Sequence, residues 1–170
     1  MLNKINFLFV TLFGIGKIKK IPGSFASLAT TIFLFFLFHI LNISLNIVII
    51  CVIIIFFISL YAVNIFIKDL DNKDPKEVVI DEFIGQSIPL TVYFFFRTLS
   101  IEEVFFFFGW PFLGWTIISF ILFRFFDIVK PFPINIVDKK MKNGLGVMLD
   151  DIIAGAYSAI TIYIFYALWF

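Results

Sequence analysis

The chain has 170 residues and a formal net charge of +1, which is one domain's worth of polypeptide. Apolar residues make up 62%, charged residues 15%, and the mean hydropathy is +1.08, values that exclude a soluble globular domain. Near-neutral charge gives no pointer to nucleic acid. A single cysteine, Cys51, and a single histidine, His39, exclude a disulfide framework and a Cys/His metal pattern.

The N-terminus reads MLNKINFLFVTLFGIGKIKK. Its apolar part is short, basic residues follow it, and no small-residue cleavage site is seen, so Ile5–Phe13 is expected as a retained helix lying at the membrane surface. Gly14–Gly23 is a loop in which Lys17, Lys19 and Lys20 cluster. Ser24 stands where a helix N-cap is expected. A first span is expected over Phe25–Leu41, a polar turn over Asn42–Asn46 and a second span over Ile47–Ile67, the two making a hairpin. His39 is expected to pack rather than to ligate. Most of the 27 phenylalanines are expected to face lipid.

Lys68–Glu82 is a polar island with six acids and three lysines. Asp74 and Pro75 suit a helix start, and a helix through Lys76–Gly85 would set Asp81 beside Gly85 and Glu82 beside Gln86. The third apolar run, Phe83–Phe96, is short and holds Pro89, so it spans only by recruiting the polar helix before it. Arg97–Glu103 is a loop and Val104–Phe123 a fourth run. A second island follows, Arg124–Gly155, with five of the thirteen basic residues and four of the twelve acids. Pro131 and Pro133 stop an entering helix, and Asp150–Asp151 abuts the last run, Ile152–Phe170. That run ends in Tyr163, Tyr166 and Trp169, an interfacial belt. The expectation is an all-α, polytopic membrane bundle of about four to five transmembrane helices with a short N-terminal interfacial helix, forming a single domain over residues 1–170.

Five crossings put twelve of the thirteen Lys and Arg residues on one side, with only Arg97 opposite. The positive-inside rule makes that side cytoplasmic. Both islands and the Gly14–Gly23 loop then meet at one membrane face, the geometry of a composite site. Chemistry narrows by exclusion. A cysteine phosphatase has no loop thiol, and a histidine nucleophile or a Ser-His-Asp triad has only His39. Asp69-Leu70-Asp71 lacks the context of an aspartyl-phosphate or calcium loop, and no P-loop or dinucleotide fingerprint appears. Carboxylates, lysines, Arg124 and helix N-termini remain. That inventory suits metal-assisted hydrolysis of a phosphate ester on a lipid head group. A small transporter is the rival reading, but it requires ionisable groups near the bilayer centre, where this chain carries almost none.

Four stretches, GIGKIKKIPGSFASL, DPKEVVIDEFIGQ, FRFFDIVKPFPI and KNGLGVMLDDIIAG, resemble the phosphatidylglycerophosphatase A family in order and spacing, over about residues 10–160. The resemblance implies a largely helical Mg²⁺-dependent enzyme of phospholipid biosynthesis that converts phosphatidylglycerophosphate to phosphatidylglycerol in the bacterial cytoplasmic (inner) membrane. Another lipid phosphate is the alternative substrate. Carried over by position, the motifs fall on Asp81, Glu82, Gly85 and Gln86; on Arg124, Asp127, Lys130 and Pro131; and on Gly144, Gly146, Asp150 and Asp151. Asp81, Glu82, Asp150 and Asp151 are the expected metal ligands. Glu82, Asp127 and Asp150 are the expected catalytic acids, one of them orienting or deprotonating water. Arg124, Lys130, Lys20 and Ser24 are the expected phosphate-binding groups. Two departures stand out: Ala26 replaces a glycine of the first motif, and Ile80 replaces a tryptophan of the second. Against these roles, Asp127 would serve merely to pair with Arg124, and Asp150 merely to cap a helix.

Overall fold

The computed structural model describes residues 2–98 and 111–169; the Arg97–Glu103 loop and the start of the fourth run lie largely outside them. Seven α-helices and no strand occur among the described residues. They are α1 (Leu2–Val10), α2 (Pro22–Phe35), α3 (Leu45–Ile67), α4 (Ile80–Thr98), α5 (Pro111–Val129), α6 (Ile134–Lys140) and α7 (Gly144–Trp169). A π-helical turn, Phe36–Ile40, extends α2. By length and apolarity three helices suit a membrane crossing: Pro22–Ile40, α3 and Gly144–Phe165. The all-α membrane bundle and its short N-terminal helix are therefore as expected.

The hub is α4. It packs most extensively on α7 and also meets α2, α3 and α5. α2 and α3 follow one another across a short turn, and both rest on the aromatic second half of α4. Leu34 and Phe38 of the first span, Val48 of α3 and Leu90, Tyr93 and Phe94 of α4 form one buried cluster. Phe38 and Phe94 stack at 3.8 Å between centroids, and His39 packs edge-on to Phe35 and Phe94. A second cluster joins Val10, Val63, Ile67, Val78, Ile80 and Met148, tying α1 and α3 to the starts of α4 and α7.

Several helix starts differ from expectation, and each difference moves a site residue. α2 begins at Pro22, with Ile21 in the left-handed region (φ 48°) at its cap and no capping side chain, so Ser24 sits inside the first turn. Residues 76–79 are not helical: β-branched Val78 and Val79 are buried in the core, and the backbone N–H of Val79 donates to the carbonyl of Val10 at 3.0 Å. α4 therefore starts at Ile80 rather than near Pro75, which places Asp81 and Glu82 in its first turn, where acids suit the helix dipole. α7 starts at Gly144, so Asp150 and Asp151 lie in its second turn and neither caps it. The cap is Asn143, whose Oδ1 accepts from the N–H of Gly146 at 2.8 Å. Asn64 of α3 accepts from the N–H of Gly144 at 3.0 Å, which docks α7 on α3.

Candidate active site

The starts of α2, α4 and α7, the end of α5 and the Asp74–Val78 strap enclose a cavity of about 510 Å³. Six carboxylates line it: Asp74, Asp81, Glu82, Asp127, Asp150 and Asp151. Four bases face them: Lys19, Lys76, Arg124 and Lys130. Glu82 and Asp150, from motifs almost 70 positions apart, thus share one chamber.

Three of the acids converge. Asp81, Glu82 and Asp151 each offer a carboxylate oxygen, and those oxygens all lie within 4.8 Å of one another. The close approach of α4 and α7 allows it. Gly85, one turn after Asp81, faces Gly155, one turn after Asp151, and a Cβ at either position would run into the backbone of the opposite helix. A second narrow contact lies at Gly23, where a Cβ would meet the Glu82 carboxylate and come within 3.4 Å of Arg124 Nη1. The first turn of α2 thus reaches Glu82 because no side chain intervenes.

Two of the other acids, Asp127 and Asp150, are engaged. Arg124 reaches Asp127 at 2.6 Å, one turn along α5, and its Nη1 lies 3.3 Å from Ser27 Oγ on α2. Lys130 Nζ bridges Asp150 at 2.7 Å and Asp138 at 2.8 Å. Burial alone would lower the Lys130 ammonium's pKa, but its hydrogen bonds and charge contacts with Asp138 and Asp150 outweigh burial and hold it above the usual lysine range. Lys130 is left-handed (φ 46°) just past the end of α5, a conformation that costs a non-glycine residue about 1–2 kcal/mol. It turns the chain toward α6, whose Asp138 then meets Lys130.

The four expected metal ligands therefore divide: Asp81, Glu82 and Asp151 cluster, while Asp150 is held by Lys130. Arg124, Lys130, Asp127 and Ser24 all line the cavity, but Lys20 is exposed and outside it, and Lys19 takes that place. Sequence reading missed Ser27, Asp74 and Asp138. Ser27 was legible as the residue four after Gly23 on the same face of α2. Asp138 was not, because α6 was not foreseen.

The donor set fits a hard divalent cation. Glu82 Oε2 and Asp151 Oδ2 are buried without a hydrogen-bond partner, an expensive state for a carboxylate oxygen that coordination would satisfy. Six carboxylates face four bases, so the lining holds more acids than bases.

Fold and site together define a polytopic helical membrane protein in which an acidic cluster that could hold a metal ion lies beside Arg124 and Lys130. The chain belongs to the phosphatidylglycerophosphatase A family, whose model matches residues 8–166. Phosphatidylglycerophosphatase A of Haemophilus influenzae is 36% identical over 163 residues, 96% of this chain and 89% of that one. The Escherichia coli protein of the same name is 32% identical over 151 residues, 89% of this chain and 77% of that one. A Bacteroides thetaiotaomicron protein, provisionally named a phosphatidylinositol-3-phosphatase, is 36% identical over 106 residues, 62% of this chain and 57% of that one. No solved structure matches the chain.

Proposed function

We propose that this protein is one membrane-embedded phosphatase domain that hydrolyses phosphatidylglycerophosphate to phosphatidylglycerol and phosphate, with Mg²⁺ as cofactor. The observation that carries the reading is the convergence of Asp81, Glu82 and Asp151, with partnerless buried oxygens, beside Arg124 and Lys130 in one cavity. Asp81, Glu82 and Asp151 hold the ion. A bound Mg²⁺ supplies Lewis-acid polarisation of phosphate oxygens and a more acidic water.

The chain's own groups do the rest. Arg124 is fixed by Asp127 and Ser27 and presents its guanidinium to the phosphate. Lys130, aimed by Asp150 and Asp138, adds a second positive charge. Lys19 and the free N–H groups at the start of α2 flank the same space, with the Ser24 hydroxyl beside them. Asp127 orients the attacking water and takes its proton. The water oxygen bonds to phosphorus, the bond to the glycerol oxygen breaks, and that oxygen leaves with a proton as the lipid alcohol. In this reading Asp150 is a positioning residue acting through Lys130. In this reading the cavity faces the cytoplasm at the bacterial inner membrane, which the bias of Lys and Arg toward the loops that line it supports.

The test is phosphate release by purified protein from phosphatidylglycerophosphate, with phosphatidylinositol 3-phosphate in parallel, in Mg²⁺ and in EDTA. The reading requires Mg²⁺-dependent release from phosphatidylglycerophosphate, and a loss of at least 10³-fold in Glu82→Gln and Asp151→Asn. Full activity in EDTA, or in both variants, overturns it.

A further inference from the structure

Outside the catalytic cavity, a groove of about 820 Å³ runs between α1, Lys17 and the end of α3. Three lysines, Lys4, Lys17 and Lys68, line it with a single acid, Asp69. None of the three lysines makes an ion pair with another described residue. Lys17 instead lies over the Phe7 ring, its ammonium 4.7 Å from the centroid. The rest of the wall is mainly apolar, including Phe7, Ile65 and Phe66.

The depth of the groove follows from α3. That helix is predominantly apolar and carries no charged residue over its 23 residues, and Lys68 is the first residue beyond it. A lysine there lies at the boundary between hydrocarbon and water, with Ile65 and Phe66 one turn deeper. The groove thus offers positive charge at head-group level over an apolar floor at the level of the upper acyl chains. A neighbouring groove of about 870 Å³ shares Phe7, Lys17 and Phe66 with it. That second groove reaches Lys19, Pro22 and Lys76, which also line the catalytic cavity. This groove, lined by Lys17, Lys19 and Lys76 and also by Asp71 and Glu77, joins the two sites.

We infer that the Lys4–Lys17–Lys68 groove docks the head group and upper acyl chains of an anionic diacyl phospholipid, a lipid separate from the one being hydrolysed. Charge selects the ligand: three unpaired ammonium groups favour an anionic over a zwitterionic head group. The inference holds whichever lipid phosphate the catalytic cavity takes.

The experiment is native mass spectrometry of the full-length protein in detergent, titrated with phosphatidylserine or phosphatidylcholine. Phosphatidylserine carries only a phosphodiester, so the catalytic site has no terminal phosphate to hold. The wild type should retain phosphatidylserine in preference to phosphatidylcholine. Each lysine removed should weaken that affinity about fivefold, and the Lys4→Gln/Lys17→Gln/Lys68→Gln variant on the order of 100-fold. The matching triple Arg variant and Glu82→Gln should keep the preference. A photoactivatable phosphatidylserine should label residues 4–17 and 65–69 of the unmutated protein, which tests the groove even if the triple Gln variant misfolds. The inference fails if the wild type does not discriminate between the lipids, or if the folded triple Gln variant binds as tightly as wild type. It also fails if Glu82→Gln abolishes binding or the label lands in the catalytic cavity.

Discussion

Adding one methyl group at Gly155 should disable the enzyme without touching a charged residue. In Gly155→Ala the new Cβ would sit against the carbonyl oxygen of Gly85, 3.2 Å from its carbonyl carbon and 3.1 Å from Ile88 Cδ1. The isoleucine tip can rotate away; a helix carbonyl cannot. Restoring ordinary C···O contact of about 3.3–3.6 Å requires α4 and α7 to part by roughly 1 Å. Asp81 and Glu82 lie within a turn of Gly85, and Asp151 one turn before Gly155, so the displacement reaches the carboxylate cluster almost undiminished. Mg²⁺ demands oxygens at about 2.0–2.1 Å in near-octahedral geometry, which leaves little slack. Misplacement by about 1 Å costs on the order of 100-fold in rate. The overpacking itself costs about 1–3 kcal/mol, equivalent to a fall of about 2–12 °C in thermal midpoint for a chain of this size. The assay is phosphate release from phosphatidylglycerophosphate in micelles at saturating Mg²⁺, alongside thermal unfolding in the same detergent. Shortening the flexible neighbour should not help, so Gly155→Ala/Ile88→Ala should remain as inactive as the single variant. Activity within threefold of wild type in Gly155→Ala, or rescue by Ile88→Ala, would show that the two helix backbones do not meet there.

Three further outcomes are expected. Lys130→Ala strips the counter-charge from Asp150 and Asp138 and should cost about 2 kcal/mol, between the values for surface and buried pairs, because the Lys130 side chain is 28% exposed. Lys130→Gly should cost about 1 kcal/mol less, since glycine accepts the left-handed backbone; unfolding midpoints that rank the two variants the other way would refute that geometry. In EDTA, Glu82→Gln and Asp151→Asn should unfold at a higher temperature than wild type, because each removes a repelling buried charge, and Mg²⁺ should stabilise only the wild type; calorimetry with and without the metal checks both signs. Asn64→Ala removes the acceptor that docks α7 on α3 and should lower stability by about 1 kcal/mol; an unchanged midpoint would count against that contact.

What the sequence makes legible here is chemistry more than register. Apolar runs announce α2, α3 and α7, because a helix in lipid must be apolar along most of its length. Site residues were findable because acids, bases and glycines are rare in such a chain and conspicuous where they cluster. Helix starts were not, since each is decided by tertiary contacts. Val78 and Val79 are drawn into the core and delay α4 to Ile80, whereas a free peptide would have used Asp74 and Pro75. Lys19 rather than Lys20 faces the cavity because the loop before α2 is irregular, and an irregular loop has no period from which to read a face. The short turn makes α2 and α3 neighbours in sequence, but nothing local reveals that both rest on α4.

The ion pairs around the cavity do more than neutralise charge. A cavity lined by six carboxylates could offer an ion several poor positions unless some of the acids are held elsewhere. Arg124 engages Asp127, and Lys130 engages Asp150. Both bases come from the FRFFDIVKP stretch at the end of α5, so one segment sorts the acids contributed by its own helix and by α7. Four carboxylates are left over, and three of them, Asp81, Glu82 and Asp151, have oxygens that converge. Asp150 and Asp151 are the same residue at consecutive positions, and consecutive side chains on a helix point about 100° apart, so one meets Lys130 while the other joins the acids of α4. The adjacent pair in α7 is therefore two residues with two duties. Its spacing holds one acid against Lys130 while the next points to α4.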